Sequence, residues 1–154
     1  MKLHHLFMAA AFAVVACSSQ AAPKDWVGKP LPELGVEYLD KAPDLKGKPA
    51  VVEFWATWCP PCRTSIPHLN EIQKKYKEKG LVVIGISDED QKKITEFRKT
   101  TPMEYTVAID KKDLGQKFGV TGIPHAFVVG KDGKIVWEGH PMQLTDAELE
   151  KVVK

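Results

Sequence analysis

With 154 residues, the chain is long enough for one domain with a hydrophobic core and too short for two. Its hydrophobic content of 44% and charged content of 27% are ordinary for a soluble globular protein. The formal net charge of +2 is too small to indicate a nucleic acid or an anionic membrane surface as a partner, and we expect neither.

The first residues of the chain predict an export signal. Lys2 supplies a positive charge. The uncharged apolar run over 6–16 is too short to span a bilayer as a helix, but it suits the h-region of a secretory signal. We therefore expect the folded part of the protein to work outside the cytoplasm, in the periplasm.

Two schemes for the removal of this segment stay open. In the first, small residues at the end of 1–21 form the cleavage site, and a soluble domain over 22–154 is released. In the second, the sequence VVAC resembles the lipobox of bacterial lipoproteins, so 1–16 is removed and Cys17 becomes a lipidated first residue that anchors the domain to the membrane. Lipidation would explain a thiol that has no partner if the other two cysteines pair with each other.

Downstream of this segment, the hydrophobic pattern predicts alternating strands and helices. Strands are predicted at 36–39, 49–57, 81–87 and 105–110, followed by a hairpin over 124–140. Helices are predicted over 60–80, 90–100, 113–120 and 145–154. This alternation predicts an α/β fold with a central mixed β-sheet and helices on both of its faces.

Two cysteines separated by two prolines follow the first buried strand, in the sequence WCPPC. A disulfide between Cys59 and Cys62 would close almost no loop, so it would stabilise little as a structural bridge. A structural zinc ion needs four ligands, and no second cluster of cysteine or histidine stands at metal-binding spacing, so we expect no bound metal. A catalytic redox pair is the remaining interpretation.

The position of this pair predicts different roles for its two members. Cys59 stands where a strand ends and a helix begins, and free N–H groups and the helix dipole favour a thiolate there. Cys62 lies one turn into the helix and would be shielded, whereas the first sulfur would be exposed. We therefore expect Cys59 to attack the substrate and Cys62 to resolve the mixed disulfide.

The sequence FWATWCPPC, the later GIPHAFVV and the leading VGKPLPEL together resemble the thioredoxin superfamily. Within it, residues 26–154 are similar to the TlpA/ResA-like extracytoplasmic thiol–disulfide oxidoreductases. The resemblance implies a thioredoxin fold and a reversible Cys59–Cys62 disulfide in place of a bound cofactor. It also implies disulfide reduction, with protein thiols and disulfides as substrates and a membrane thiol-electron transporter as reductant. We expect the protein to be a monomer.

An acidic residue interrupts the apolar strand that leads to the pair. Burial of a carboxylate is unfavourable unless it has a partner or a function, so Glu53 either lies at a sheet edge or pairs with a lysine such as Lys48, or it exchanges protons with Cys62. Many ResA-like proteins carry a glutamate three residues after the second cysteine, but this chain has Ser65 there. Glu53 is therefore the sole candidate for the catalytic carboxyl group.

Three further residues are expected to bind the substrate. Resemblance to the family implies a cis peptide bond before Pro124, packed against the cysteines, with the backbone of Ile123 ready to pair with a substrate strand. Trp58 directly precedes the first cysteine and is expected on the docking surface, whereas Trp55 is expected in the core.

Two other functions on the same fold stay open as alternatives. A thioredoxin-fold peroxidase needs a proline and a threonine before its reactive cysteine; Thr57 is present, but Glu53 and Phe54 depart from that pattern. A copper- or haem-handling chaperone would be favoured by a nearby methionine ligand, yet neither Met103 nor Met142 stands at a suitable spacing. The direction of electron flow is also open, because the potential depends on thiolate stabilisation.

Overall fold

The computed structural model describes residues 25–154, which form six strands and four α-helices. The strands are β1 Glu37–Tyr38, β2 Ala50–Phe54, β3 Val82–Ser87, β4 Thr106–Ile109, β5 His125–Val129 and β6 Ile135–Gly139. The α-helices are α1 Pro60–Tyr76, α2 Gln91–Thr100, α3 Leu114–Phe118 and α4 Asp146–Val153. The predictions for 1–21 and for Cys17 lie outside the described residues.

The six strands form one mixed sheet in the order β1-β4-β3-β2-β5-β6. Strands β2, β3 and β4 run parallel, while β1, β5 and β6 each pair antiparallel to a neighbour. Strand β2 lies in the middle, with β3 on one side and β5 on the other. The residues that follow β2 therefore leave the sheet from a central strand, at the end of the sheet where the parallel strands have their C-termini.

Alternate residues of the strands point to opposite faces of the sheet, as strand geometry requires. Val51 of β2 belongs to a core cluster with residues of α1, α2 and α4, and we call this side the α1 face. Val52 and Phe54 belong to a second cluster with Leu114 and Phe118 of α3, on the α3 face. The predicted α/β architecture with helices on both faces is therefore confirmed.

The observed elements are shorter than the predicted ones. The predicted strand over 49–57 ends at Phe54. The N–H of Trp55 still donates to the Ile86 carbonyl of β3, but Thr57 binds the side chain of Glu89 as the chain turns toward α1. Helix α1 ends at Tyr76 and is continued by a 3-10 turn, Lys77–Lys79, which Gly80 closes in the left-handed conformation at φ 85°. Among residues 25–154, no helix is long and apolar enough to cross a membrane.

Candidate active site

The first turn of α1 carries the predicted redox pair as a disulfide. Cys59 and Cys62 are bonded, with their Cα atoms 5.3 Å apart. Cys59 is the N-cap residue of α1, and its Sγ accepts a hydrogen bond from the backbone N–H of Cys62 at 3.3 Å. Pro60 and Pro61 have no N–H, so the Cys62 amide is the first one that α1 can offer. In the reduced protein, this N–H and the helix dipole would stabilise a thiolate on Cys59.

The prediction that the sulfur of Cys59 is exposed and that of Cys62 is shielded is wrong for the disulfide form. Cys59 is only 2% exposed and Cys62 is fully buried. The backbone carbonyl of Ile123 lies 3.6 Å from Cys59 Sγ and covers it from the side of the loop before β5. The two cysteines therefore differ in their contacts, because Cys59 faces the Ile123 loop and the start of the helix, whereas Cys62 belongs to the interior.

The loop before β5 has the predicted backbone conformation. The peptide bond between Ile123 and Pro124 is cis, which confirms that expectation. Pro124 is buried, while Ile123 is partly exposed beside the disulfide. This places a backbone segment next to Cys59, where an extended substrate could lie.

The two tryptophans before Cys59 occupy opposite environments, as predicted. Trp55 is 2% exposed in the core of the α1 face, whereas Trp58 is 61% exposed. A groove opens beside Trp58 and Ile123. Its apolar lining consists of Phe54, Trp55, Trp58, Ile86, Val120 and Ile123, and three aspartates also line it, Asp88, Asp110 and Asp113. Trp58 and Ile123 thus border both the disulfide and this groove.

Glu53 is fully buried on β2, and its partner is a serine of α1. The expectation that Glu53 could pair with Lys48 or lie at a sheet edge is wrong. Lys48 is exposed before the start of β2 and pairs with Asp44 at 3.6 Å, and β2 is central. Instead, the Oγ of Ser65 lies 2.8 Å from Glu53 Oε1.

The hydroxyl of Ser65 also lies 2.8 Å from the backbone carbonyl oxygen of Cys62. A hydroxyl has one proton, so it can donate to only one of these two oxygens. Both short contacts are hydrogen bonds at once when Glu53 is protonated and donates to Ser65, which then donates to the Cys62 carbonyl. The geometry therefore fits a neutral Glu53 in the disulfide form.

The electrostatics of Glu53 agree with this geometry. Burial raises the pKa of Glu53 to about 8; when the carboxyl group is ionised Ser65 donates to it instead, which offsets only part of that effect. A carboxyl group with such a pKa is mostly protonated at neutral pH and ionises in the range where thiols titrate. It can therefore exchange a proton with a nearby thiol.

A second carboxylate, which the sequence analysis missed, holds the loop between β2 and α1. Glu89 accepts hydrogen bonds from the backbone N–H of Thr57 at 2.6 Å and from its Oγ1 at 2.8 Å, and pairs with Lys93 at 2.5 Å. Arg63 Nε donates to the Thr57 carbonyl at 2.7 Å. Burial alone would raise the pKa of Glu89, but the Lys93 and Thr57 donors lower it. The acidic sequence SDED, which begins at the last residue of β3, could have indicated this carboxylate.

Ser65 was also missed as a site residue, because it was considered only as the absence of a glutamate. The helical spacing of Ser65 with the apolar Ile66 and Leu69 on the inner side of α1 was the available signal, since a buried hydroxyl needs a partner. No group of three or more His, Cys, Asp or Glu side chains within 25–154 is arranged to hold a metal ion.

Comparison with known proteins agrees with this fold and this pair. The model of the AhpC/TSA family matches residues 27–138, which is most of the chain. The chain belongs to the AhpC/TSA family. It is 37% identical over 134 residues to the thiol-disulfide oxidoreductase ResA of Bacillus thuringiensis, covering 83% of this chain and 77% of that relative.

Two further similarities come from other organisms. The thiol:disulfide interchange protein DsbE of Pseudomonas fluorescens is 37% identical over 124 residues, covering 73% of this chain and 66% of that relative. A crystal structure of a thioredoxin family thiol:disulfide interchange protein from Chlorobium tepidum has a TM-score of 0.59 at 33% identity, covering 71% of this chain and 79% of that chain. With its thioredoxin fold and its disulfide, this member of the AhpC/TSA family is a thiol–disulfide oxidoreductase.

Proposed function

We propose that this enzyme is an extracytoplasmic disulfide reductase, in which Cys59 is the nucleophile, Cys62 is the resolving thiol and Glu53 is the proton acceptor. One observation carries the assignment of roles: Cys59 Sγ accepts the first free N–H of α1, while the carbonyl of Cys62 is joined through Ser65 to Glu53. The disulfide itself is the redox group, and the proposal requires no other cofactor.

The proposed reaction transfers two electrons from the dithiol to a protein disulfide. The Cys59 thiolate attacks one substrate sulfur, the S–S bond of the substrate breaks, and the first substrate thiolate leaves and takes up a proton. Cys62 then gives its proton to the Glu53 carboxylate and attacks Cys59 Sγ. The Cys59–Cys62 bond forms, the mixed disulfide breaks, and the second substrate thiolate leaves.

Substrate docking is assigned to the surface around Trp58, Ile123 and Pro124. The groove beside Trp58 and Ile123 gives an apolar substrate side chain a place to bind. The carbonyl oxygen of Ile123 lies 3.6 Å from Sγ of Cys59, the attacking sulfur, so a substrate strand paired with Ile123 would bring its own disulfide to Cys59. This arrangement orients the two sulfur atoms before the reaction.

Exchange of one cysteine at a time tests the proposed roles. In the reduction of insulin with dithiothreitol, Cys59→Ser should abolish catalysis. Cys62→Ser should accumulate mixed disulfides with the substrate, which non-reducing electrophoresis and mass spectrometry detect. If Cys59→Ser trapped the substrate and Cys62→Ser did not, the two roles would be reversed.

The reductase direction is supported by the resemblance to the ResA-like group, with a membrane thiol-electron transporter as the proposed source of electrons. Its test is the reduction potential of the pair, measured against glutathione. A value near that of thioredoxin, about −270 mV, supports a reductase, whereas a value above about −180 mV would make the protein an oxidant.

The proposed location outside the cytoplasm depends on the export signal in 1–21, or in 1–16 if Cys17 is lipidated. Cell fractionation of the full chain and of Cys17→Ala distinguishes these schemes. A lipid anchor predicts that the variant leaves the membrane fraction or stays unprocessed. A mature wild-type protein that begins at Ala22 would show that Cys17 is removed with the signal.

A further inference from the structure

Three buried polar atoms on the α1 face have no hydrogen-bond partner among residues 25–154. They are Glu53 Oε2, Trp55 Nε1 and Tyr105 Oη. Buried polar groups in folded proteins are nearly always paired, because leaving one unpaired is unfavourable. Three such atoms in one part of the core therefore require an explanation.

All three atoms belong to residues that surround Gly85 of β3. Glu53 is the direct partner of Gly85 across the β2–β3 pair. A Cβ atom on Gly85 would stand 3.0 Å from Trp55 Nε1 and 3.0 Å from ring atom Cε2 of Tyr105. The glycine thus lets both rings approach the sheet beside the buried carboxyl group.

The electrostatics of Tyr105 independently indicate this proximity. Burial raises the pKa of Tyr105 well above its usual value, and the charge of Glu53 raises it further, while Arg98 on α2 acts in the opposite direction. The titratable or charged groups that face this region are thus Glu53 on β2, Tyr105 before β4 and Arg98 on α2.

The chemistry of the three atoms is complementary. The Trp55 indole can only donate a hydrogen bond, the Tyr105 hydroxyl can donate and accept, and the unprotonated oxygen of Glu53 can only accept. One water molecule makes about three hydrogen bonds when it is buried, and it needs polar partners of this kind. A single water between these atoms would satisfy all three.

We infer that an internal water molecule bridges Glu53 Oε2, Trp55 Nε1 and Tyr105 Oη, and that Trp55 and Tyr105 are positioning residues that act on Glu53 through it. This inference deepens the proposed function, because it rests on Glu53 as the proton acceptor. The bridge supplies hydrogen-bond donors to the carboxylate on the side opposite Ser65. Donors to the charged form favour ionisation, so they keep the carboxyl group able to accept a proton from Cys62.

Titration of Glu53 in the oxidised full-length protein tests the bridge without turnover. Tyr105→Phe keeps the ring and removes the hydroxyl donor, so the pKa of Glu53 should rise. At pH 7, the ionised fraction should fall about threefold, as expected for the loss of one hydrogen bond. Carbon-13 NMR of the labelled glutamate carboxyl groups measures this change. An unchanged titration curve in Tyr105→Phe would overturn the inference.

Tyr38→Phe is the matched control, because Tyr38 lies on β1 at the far edge of the sheet and burial alone raises its pKa. It should leave the titration of Glu53 unchanged. If both variants shifted Glu53 equally, the effect would be general and the bridge would be wrong.

A high-resolution crystal structure of the wild-type oxidised protein is the second measurement, and it does not depend on any variant. An ordered water within roughly 3 Å of all three atoms supports the bridge. A direct hydrogen bond between Tyr105 and Glu53, or a site without water, overturns it. Neither measurement requires catalysis, so the proposed reductase function and this inference can fail separately.

Discussion

The two faces of the sheet bury different kinds of side chain. The buried polar side chains lie on the face that packs against the helix of the redox pair. On the α3 face, the rings of Phe54, Phe118 and Phe127 pack with centroids 5.1 to 6.1 Å apart. On the α1 face, Glu53 and Ser65 are buried directly behind the disulfide helix. Burial of a carboxyl group is less favourable than an apolar core at these positions, and the polar pair lies where the proposed proton transfer takes place.

Two indole groups illustrate the same contrast. Trp26 lies against the α3 face, and its Nε1–H donates to the Phe118 carbonyl at 2.7 Å. Trp55 lies on the α1 face, and its Nε1–H has no partner in 25–154. The α3 face thus satisfies its polar atoms within the protein, whereas the α1 face leaves donors and acceptors available around Glu53.

The largest expected effect on stability comes from a substitution on the α3 face. Phe118→Ala removes a ring that contacts Phe54, Phe127 and Trp26, so the free energy of unfolding should fall by about 3–5 kcal/mol. Disulfide reduction by the remaining folded protein should be unchanged. Denaturant unfolding and an insulin assay measure the two quantities. Val136→Ala, at a 46% exposed site, is the control and should change stability little. If activity falls by more than the fraction of folded protein, the α3 face contributes to the reaction as well as to stability, and the prediction is wrong.

The stability of the α1 face should depend on pH through Glu53. Below about pH 4.5 this carboxyl group is protonated in both the folded and the unfolded chain. Between about 4.5 and 8 only the unfolded chain ionises, so the free energy of unfolding should fall by roughly 1.4 kcal/mol per pH unit through this group. Above about pH 8 both states are ionised and the loss levels off.

Glu53→Gln isolates this contribution. The amide can donate to Ser65 as the protonated acid does, so the variant should lack the slope and become more stable than the wild type as pH rises. Chemical unfolding at several pH values measures the difference between the two proteins. If that difference does not change with pH, Glu53 does not have a raised pKa.

The same substitution should impair the reaction. Glu53→Gln removes the proposed proton acceptor for Cys62, so resolution of the mixed disulfide should slow by about 10²-fold, the low end for general acid–base groups. Stopped-flow measurement of product release from a preformed mixed disulfide reports this step. Attack by Cys59 should change little. Normal resolution together with lost stability would make Glu53 a structural residue and require another base.

The smallest expected effect comes from the serine that links α1 to Glu53. Ser65→Ala removes a donor that lowers the pKa of Glu53, so this pKa should rise further and the pH–rate profile of the resolution step should move to higher pH. Stability should fall by about 1–3 kcal/mol, because buried oxygens lose their partner. Thr64→Ala is the control, since its exposed hydroxyl contacts only the Pro60 carbonyl. An equal pH shift in both variants would show that Ser65 has no special role.

Much of the fold could be predicted from the sequence, because local patterns determine it. The apolar strands, the helix periodicity and the capping box of Thr145 with Glu148 each lie within a few neighbouring residues. The redox pair was likewise visible as a short motif, whereas the cis bond before Pro124 was implied by the resemblance to the thioredoxin superfamily. Element ends were less accurate, since distant residues contact them; just after β2, Thr57 is held by Glu89, far along the sequence.

The sequence by itself determined the α/β order, the place of Cys59 and Cys62 at a strand-to-helix junction, and the anomaly of an acid in an apolar strand. Only the tertiary structure decided that Ser65 rather than Lys48 contacts this acid, and that Cys59 is nearly buried in the disulfide form. It alone brings Trp55 and Tyr105 together over Gly85. The physical reason is that hydrophobic periodicity reports which face a residue occupies, whereas the partner of a buried polar group depends on which strands and helices become neighbours in space.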